Sequence, residues 1–296
     1  RSDRRRERVF HRRLRIPALR ILAHLSDLHF GRLDEAVLPA LTRTIRDAKP
    51  DVVVVSGDLT QRARRREFAA ARRYLDELPS PQIVVPGNHD VPMHDMLSRW
   101  LSPLASYRRY ISEDTEPFYA DEEIAVLGVN TARSNVIKGG RINREQVARS
   151  CERLEGAGKG ITRVIVTHHP FDLPQSEAGG ALVGRADMAM AGFAGCRVDL
   201  ILSGHMHVSH RSDSAARYRI PGYSALMVQA GTATSSRRRG ELNAYNIIRI
   251  ERPRIAIDTL TWDGEAGNFL LSGTDHFQFG PEGWSRLADG TARELE

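Results

Sequence analysis

An α/β fold is what this sequence predicts, on three observations. Short, continuous runs of aliphatic and β-branched residues, such as the four valines of 52–55, alternate with longer stretches of helical periodicity as far as Ser203. Runs that are apolar at every position are how parallel strands covered on both faces read. Polar residues cluster just past the ends of these runs, where α/β sheets carry their sites. After Gly204 the helical stretches stop and apolar segments follow one another directly, as in an antiparallel sheet edge or meander.

Taken in order, the chain begins with an Arg-rich stretch over 1–16. Val9, Phe10, Arg13, Leu14 and Pro17 share one helical face there, with Arg4, Arg5, Arg8, Arg12 and Arg15 mostly on the other. That pattern suits a short basic helix lying on an anionic membrane surface, a solvated arm, or an arm that packs a homodimer. From Leu19 the alternation begins. Ile21–Ser26 reads as a strand, Asp34–Ala48 as a helix, Asp51–Ser56 as a doubly buried strand, Arg64–Leu78 as a helix and Gln82–Pro86 as a strand. Asp95–Tyr110 has helical spacing broken by Pro103. Glu122–Asn130 is the next strand, then helix Asn143–Leu154, strand Thr162–Thr167, helix Arg185–Ala194 and strand Arg197–Ser203. Tyr218–Ile220, Ala225–Ala230, Ala244–Ile250 and Arg254–Trp262 read as consecutive strands. Residues 263–296 are Gly-rich and weakly patterned, and are expected to be a tail packed on the domain.

The 296 residues suffice for one large α/β domain, here expected over 19–262 behind a basic arm of 1–18. No run reaches the roughly 18 apolar residues of a spanning helix, and the charged N-terminus lacks the apolar segment of a signal peptide. The net charge of +6 is unevenly placed: residues 1–20 hold nine Arg and two acids. Removing those from the totals of 43 basic and 37 acidic side chains leaves 34 and 35, so the body is close to neutral. A near-neutral body argues against one built to track a nucleic-acid backbone. Cys151 and Cys196 stand far apart and outside every motif, so both are expected as reduced thiols in a reducing cytosol. The expected location is cytoplasmic, or peripheral to the inner membrane through the arm.

Five stretches carry chemistry: Asp27-Leu28-His29, Gly57-Asp58, Gly87-Asn88-His89-Asp90, His168-His169-Pro170 and Gly204-His205-Met206-His207. Carboxylate, imidazole and amide oxygen are the donors that hard-to-borderline metals take. In Asp27-Leu28-His29 the spacing of two puts both side chains on one side of an extended segment. His205-Met206-His207 repeats the spacing. Gly57 lets the backbone turn sharply and leaves Asp58 at the sheet's edge, where its two oxygens can bridge two ions.

The order Asp-x-His, Gly-Asp, Gly-Asn-His-Asp, His-His-Pro, Gly-His-x-His resembles the calcineurin-like metallophosphoesterase superfamily. It is most similar to its bacterial class III cyclic-nucleotide phosphodiesterase and glycerophosphodiesterase branch. The likeness covers about residues 19–262. It implies a four-layer αββα sandwich of two mixed sheets flanked by helices. It implies a first metal held by Asp27, His29, Asp58 and His207 and a second by Asp58, Asn88, His168 and His205. The metals are expected to be Mn, Fe or Zn. It further implies attack on a phosphodiester by a metal-bridging hydroxide, with His89 assisting the leaving oxygen and Asp90 orienting the loop. His169, beside the ligand, is expected to support the pocket wall or touch substrate.

His89, where a lipid-pyrophosphatase branch usually carries Arg, favours a small phosphodiester or cyclic nucleotide as substrate. The competing readings are a peripheral membrane phosphoesterase acting on a lipid-linked substrate, a nuclease, and a non-catalytic module. The last two are disfavoured, by the missing basic stripe with interleaved aromatics and by the complete ligand set. Arg32, just behind His29, is the expected substrate contact. The clusters Arg62, Arg64–Arg66 and Arg237–Arg239, and the segment 131–142, are candidates for the pocket rim.

Overall fold

The runs of β-branched residues form the inner strands of two sheets. The structure is a computed structural model, and it describes residues 17–93, 95–133, 139–174, 182–236 and 241–288. The Arg-rich stretch 1–16 and Arg237–Arg239 therefore lie outside the described residues, as does the middle of the 131–142 segment.

In the first sheet β1 (Arg20–Leu25), β2 (Val52–Val55) and β3 (Gln82–Val84) run parallel. On its other side β10 (Ala244–Glu251) pairs antiparallel with β1 and opens a meander through β11 (Arg254–Asp263), β12 (Asn268–Gly280) and β13 (Gly283–Arg286). The second sheet has the order β4 (Phe118–Ala120), β5 (Ile124–Gly128), β6 (Thr162–Val166), β7 (Leu200–Ser203), β9 (Leu226–Gln229), β8 (His210–Asp213). Its four central strands are parallel and its two edges antiparallel. The helices are α1 (Val37–Asp47), α2 (Arg65–Glu77), α3 (Met96–Leu101), α4 (Ala105–Tyr110), α5 (Arg144–Gly156) and α6 (Ala186–Gly195).

Strand alternation decides the layers. Val52 and Val54 share a core with Val126, Val164 and Leu200 of the opposite sheet, while Val53 and Val55 join Leu41 and Ile45 of α1 and Phe68 and Leu75 of α2. In the second sheet Leu127, Ile165 and Ile201 face Val147 and Leu154 of α5 and Met190 and Phe193 of α6. The result is the αββα sandwich. Each of the four valines is fully buried, worth about 1.5–3 kcal/mol apiece before conformational entropy is charged.

Four expectations need correction. The strand at 226–229 pairs parallel with β7 in the second sheet rather than joining the meander. Tyr218–Ile220 is a turn, not a strand: Ile220 N–H donates to Tyr218 O and the Tyr218 hydroxyl to Phe171 O. The tail expected over 263–296 instead supplies β12 and β13, which extend the first sheet and bury Phe269, Phe277 and Trp284. Its exposed middle (Leu270–Gly273) hid the strand pattern. The two cysteines, expected reduced, are joined in a disulfide between α5 and the residue following α6, Cα–Cα 5.4 Å. The physical reason is helix contact: Gly192 on α6 carries no side chain, and a Cβ there would collide with Val147 of α5.

No described helix is long and apolar enough to cross a membrane. Pro103 does end the helical stretch, which resumes as α4, where the buried Tyr107 hydroxyl donates to Val84 O at 2.8 Å.

Candidate metal centre

All five motifs lie just beyond strand ends: Asp27 after β1, Asp58 after β2, Asn88 after β3, His168 after β6, and His205 and His207 after β7. Because these strands run parallel within their sheets, their carboxyl ends deliver the motifs to one edge of the sandwich. The backbone there is not extended. Asp27, His29, Asp58, His205 and His207 have φ of 53°, 49°, 52°, 75° and 61°, in the left-handed region. The two-residue spacing does turn both side chains of each pair toward the same centre, but by a repeated left-handed residue and not by strand alternation. Such conformations cost about 1–3 kcal/mol each and gather at functional sites.

The donor atoms converge in two overlapping groups. His207 Nε2 lies 3.4 Å from Asp27 Oδ1 and 3.3 Å from His29 Nε2, which in turn is 3.5 Å from Asp27 Oδ1 and 3.8 Å from Asp58 Oδ2. In the second group His168 Nε2 is 3.4 Å from Asp58 Oδ2, 3.1 Å from Asn88 Oδ1 and 3.2 Å from His205 Nδ1. Donors about 2.0–2.2 Å from one cation are separated by roughly these edges. Asp58 links the groups through a single oxygen, Oδ2, since Oδ1 accepts the His89 N–H at 2.8 Å. Asp27 divides its labour likewise. Oδ2 accepts from the Ser26 hydroxyl at 2.6 Å and the His205 N–H at 2.9 Å, while buried Oδ1 has no hydrogen-bond donor. A buried carboxylate oxygen left among imidazole nitrogens is what a cation would satisfy.

Charge within the site follows the same logic. Burial would raise Asp58, but facing His168 outweighs it and holds the carboxyl well below its ordinary value. Asp27 is lowered in the same way against His207 and His29. His168, despite burial, is raised to about 9 by Asp58 and Asp27. His205 is lowered to about 4 by burial and by His168 beside it.

His89 sits partly exposed at the mouth, its ring edge-on to His29 at 4.9 Å. Its Nδ1 lies 2.8 Å from Gln61 O. A carbonyl only accepts, so Nδ1 carries the proton and Nε2 is left to exchange one. Asp90, expected to orient the His89 loop, is fully buried. It accepts from the N–H groups of Leu59, Thr60 and Gly87 and from the Thr60 hydroxyl, at 2.9–3.1 Å. It ties the Asp58 loop to the Asn88 loop. His169 is also buried. Its Nδ1 is 2.8 Å from the Thr131 hydroxyl, its Nε2 has no partner, and it groups with His168 and His205.

Arg32 is exposed, and its carbonyl accepts from Ser236 N–H. Arg62 and Arg64 before α2, and Arg65 and Arg66 in its first turn, are exposed. Two residues escaped the sequence reading: Ser26 and Gln61. Ser26 precedes Asp27 and Gln61 follows the Asp58 motif, so adjacency pointed at both. Thr131 opens the 131–142 segment expected at the pocket rim, and it is buried against His169 Nδ1.

A family model described as calcineurin-like phosphoesterase matches residues 21–209. Glycerophosphodiester phosphodiesterase GpdQ of Enterobacter lignolyticus is 30% identical over 171 residues, 53% of this chain and 59% of that protein. A probable cyclic nucleotide phosphodiesterase of Synechococcus sp. is 25% identical over 198 residues, 63% of this chain and 72% of that protein. The chain thus spans less than two thirds of the first relative's length. Among solved structures, purple acid phosphatase PPD1 of yellow lupin superposes with a TM-score of 0.64 at 13% identity, covering 87% of this chain and 54% of that one. A dimetal phosphatase of Danio rerio gives 0.58 at 13% identity, covering 86% and 98%. At these identities the likeness is one of fold.

Proposed function

This chain belongs to the calcineurin-like phosphoesterase family, and from that premise we propose that it is a two-metal hydrolase of small phosphodiesters, cyclic nucleotides or glycerophosphodiesters among them. The observation that carries this reading is the convergence of seven donor side chains from five motifs in two groups sharing Asp58 Oδ2. Asp27, His29, Asp58 and His207 would hold one cation, and Asp58, Asn88, His168 and His205 the other. Bound there, two divalent cations supply positive charge for the phosphoryl oxygens and lower the pKa of water.

The chain's own residues do the rest. Asp58 and Asp27 each fix one oxygen with a backbone N–H and turn the other inward. Two carboxylates against two divalent cations leave the centre net positive, which suits a singly charged diester. His89, oriented by Gln61 O, holds a proton at Nε2 for the departing oxygen. His169 Nε2, buried beside His205, is placed to meet a phosphoryl oxygen. Asp90 keeps the Asp58 and Asn88 loops at fixed separation. The two phosphodiesterase relatives support the substrate class.

The test is a panel of initial rates on Mn-loaded chain with cyclic AMP, a glycerophosphodiester and the matching monoesters. Diester turnover that drops at least about 100-fold in His89→Ala, with metal content unchanged, is expected. Equal or faster monoester turnover, or no effect of His89→Ala, would contradict the proposal.

A further inference from the structure

Helix α3 is inside out. Leu97, Trp100 and Leu101, spaced i, i+3, i+4, form one stripe and are 71%, 65% and 73% exposed. Arg99, on the opposite side, is only 3% exposed, and its Nη1 donates to Pro92 O at 3.0 Å. A surface helix of a globular protein is oriented the other way. Met93, just before α3, adds another exposed apolar side chain.

Two clefts flank this helix. One, of about 690 Å³, is lined by Leu101, Arg108, Arg109 and Arg133, with Glu113 the one carboxylate among the described residues lining it. The other, of about 480 Å³, is lined by Met93, Arg62, Arg64 and Arg65, with Asp95 the one carboxylate among the described residues lining it. Ser102, just after α3, and Ala105, at the start of α4, line both. Both border the motif loops: Val91 and Asn130 line the first, and Arg62 of the second follows Gln61, whose carbonyl holds His89.

We propose that α3 and its two arginine-lined clefts form a docking face for an anionic lipid surface. Leu97, Trp100 and Leu101 enter the boundary between headgroups and acyl chains, and the arginines hold headgroup phosphates. Three considerations select this occupant. Exposed leucine and tryptophan on one face beside a basic surround is the composition of segments lying in that boundary. A second copy seated on the same face by twofold symmetry would set these arginines against their own duplicates. A nucleic acid would engage the arginines and leave the leucines without a counterpart. The face lies on residues independent of the 1–16 arm, and the inference does not rest on the chemistry proposed for the metal centre.

The chain contains its own reporter. Of its three tryptophans, Trp262 and Trp284 are 9% and 1% exposed, so Trp100 dominates any environment-sensitive change. The full chain is mixed with phosphatidylcholine vesicles with or without phosphatidylglycerol. With the anionic vesicles, Trp100 emission is expected to shift to the blue and to be quenched by lipids brominated on the acyl chain. Trp100→Phe abolishes the shift. Leu97→Ser combined with Leu101→Ser weakens binding about tenfold while hydrolysis of a soluble diester is unchanged. Vesicle binding with Trp100 emission unaltered assigns the attraction to the basic arm and overturns the proposal. A dimer in sedimentation that shields Trp100 without lipid overturns it in favour of a second copy. Absence of diester hydrolysis with Trp100 still entering the bilayer would remove the function proposed above and leave this face in place.

Discussion

At the scale of single residues, the centre is held by backbone conformations that side chains alone would not choose. Five of the motif residues occupy the left-handed region, and Gly57, at φ +92°, makes room for His168: a Cβ there would stand 2.6 Å from His168 Nδ1. Gly57→Ala should therefore displace His168 and Asp58 together. Retention of metal, measured after gel filtration, is expected to fall while the circular dichroism spectrum stays native. Full metal content in the variant would contradict this. Asp90→Ala leaves the N–H groups of Leu59, Thr60 and Gly87 unpaired, while the Thr60 hydroxyl keeps the His89 carbonyl, at about 1–3 kcal/mol for a buried unsatisfied group. Chemical denaturation should show a loss of at least about 2–4 kcal/mol, whereas a change under about 0.5 kcal/mol would mean that Asp90 does not tie the loops. The ligand types and order were legible because Asp-x-His and His-x-His are explicit in the sequence. The left-handed backbone that aims them was not, since even Asp and His, enriched in that region, adopt it at a small minority of positions. The single-oxygen role of Asp58 depends on a backbone N–H brought in from 31 residues away, which no local pattern encodes.

At the scale of elements, two connections carry testable weight. The Cys151–Cys196 disulfide closes a loop of 45 residues between α5 and the end of α6. A loop of that size confers about 2–4 kcal/mol through restriction of the unfolded chain. Reductant should lower the unfolding midpoint of the wild-type chain by several degrees and leave Cys151→Ser unaffected. An identical midpoint with and without reductant would contradict the cross-link. Strand β8 is anchored by Asp172, which accepts from His210 Nε2, the Ser212 hydroxyl and Arg217 Nε. Although burial would raise it, these partners hold its carboxyl below the ordinary value. A lowered acid contributes stability above the ordinary carboxylate range and loses it as pH falls through and below that range. The acid limb of a stability-versus-pH curve should be shallower in Asp172→Asn, and superimposable limbs would refute the assignment. Valines 52–55 announced a doubly covered strand. Strands β4, β8, β12 and β13 were obscure because they bury few of their residues and lack that continuous apolar run.

At the scale of the whole molecule, the sandwich explains why the site exists. Two sheets share one apolar interior, and the parallel strands on both sides of that interior end at the same edge. Asp27, Asp58 and Asn88 come from the first sheet; His168, His205 and His207 come from the second. The centre therefore reports on sheet-to-sheet packing, and cation binding should couple to global stability by mass action. The unfolding midpoint is expected to rise with Mn concentration, and a midpoint indifferent to metal would mean the two sheets do not share a site.

The most direct measurement of the central claim is a metal count. Chelator-treated chain is titrated with Mn, bound metal is quantified by mass spectrometry, and the rate on bis(p-nitrophenyl) phosphate is read in parallel. Two equivalents per chain are predicted, with the rate appearing as the second fills, and with His205→Ala saturating near one. A wild-type chain that saturates at one equivalent with full activity, or binds none, would contradict the two-metal account.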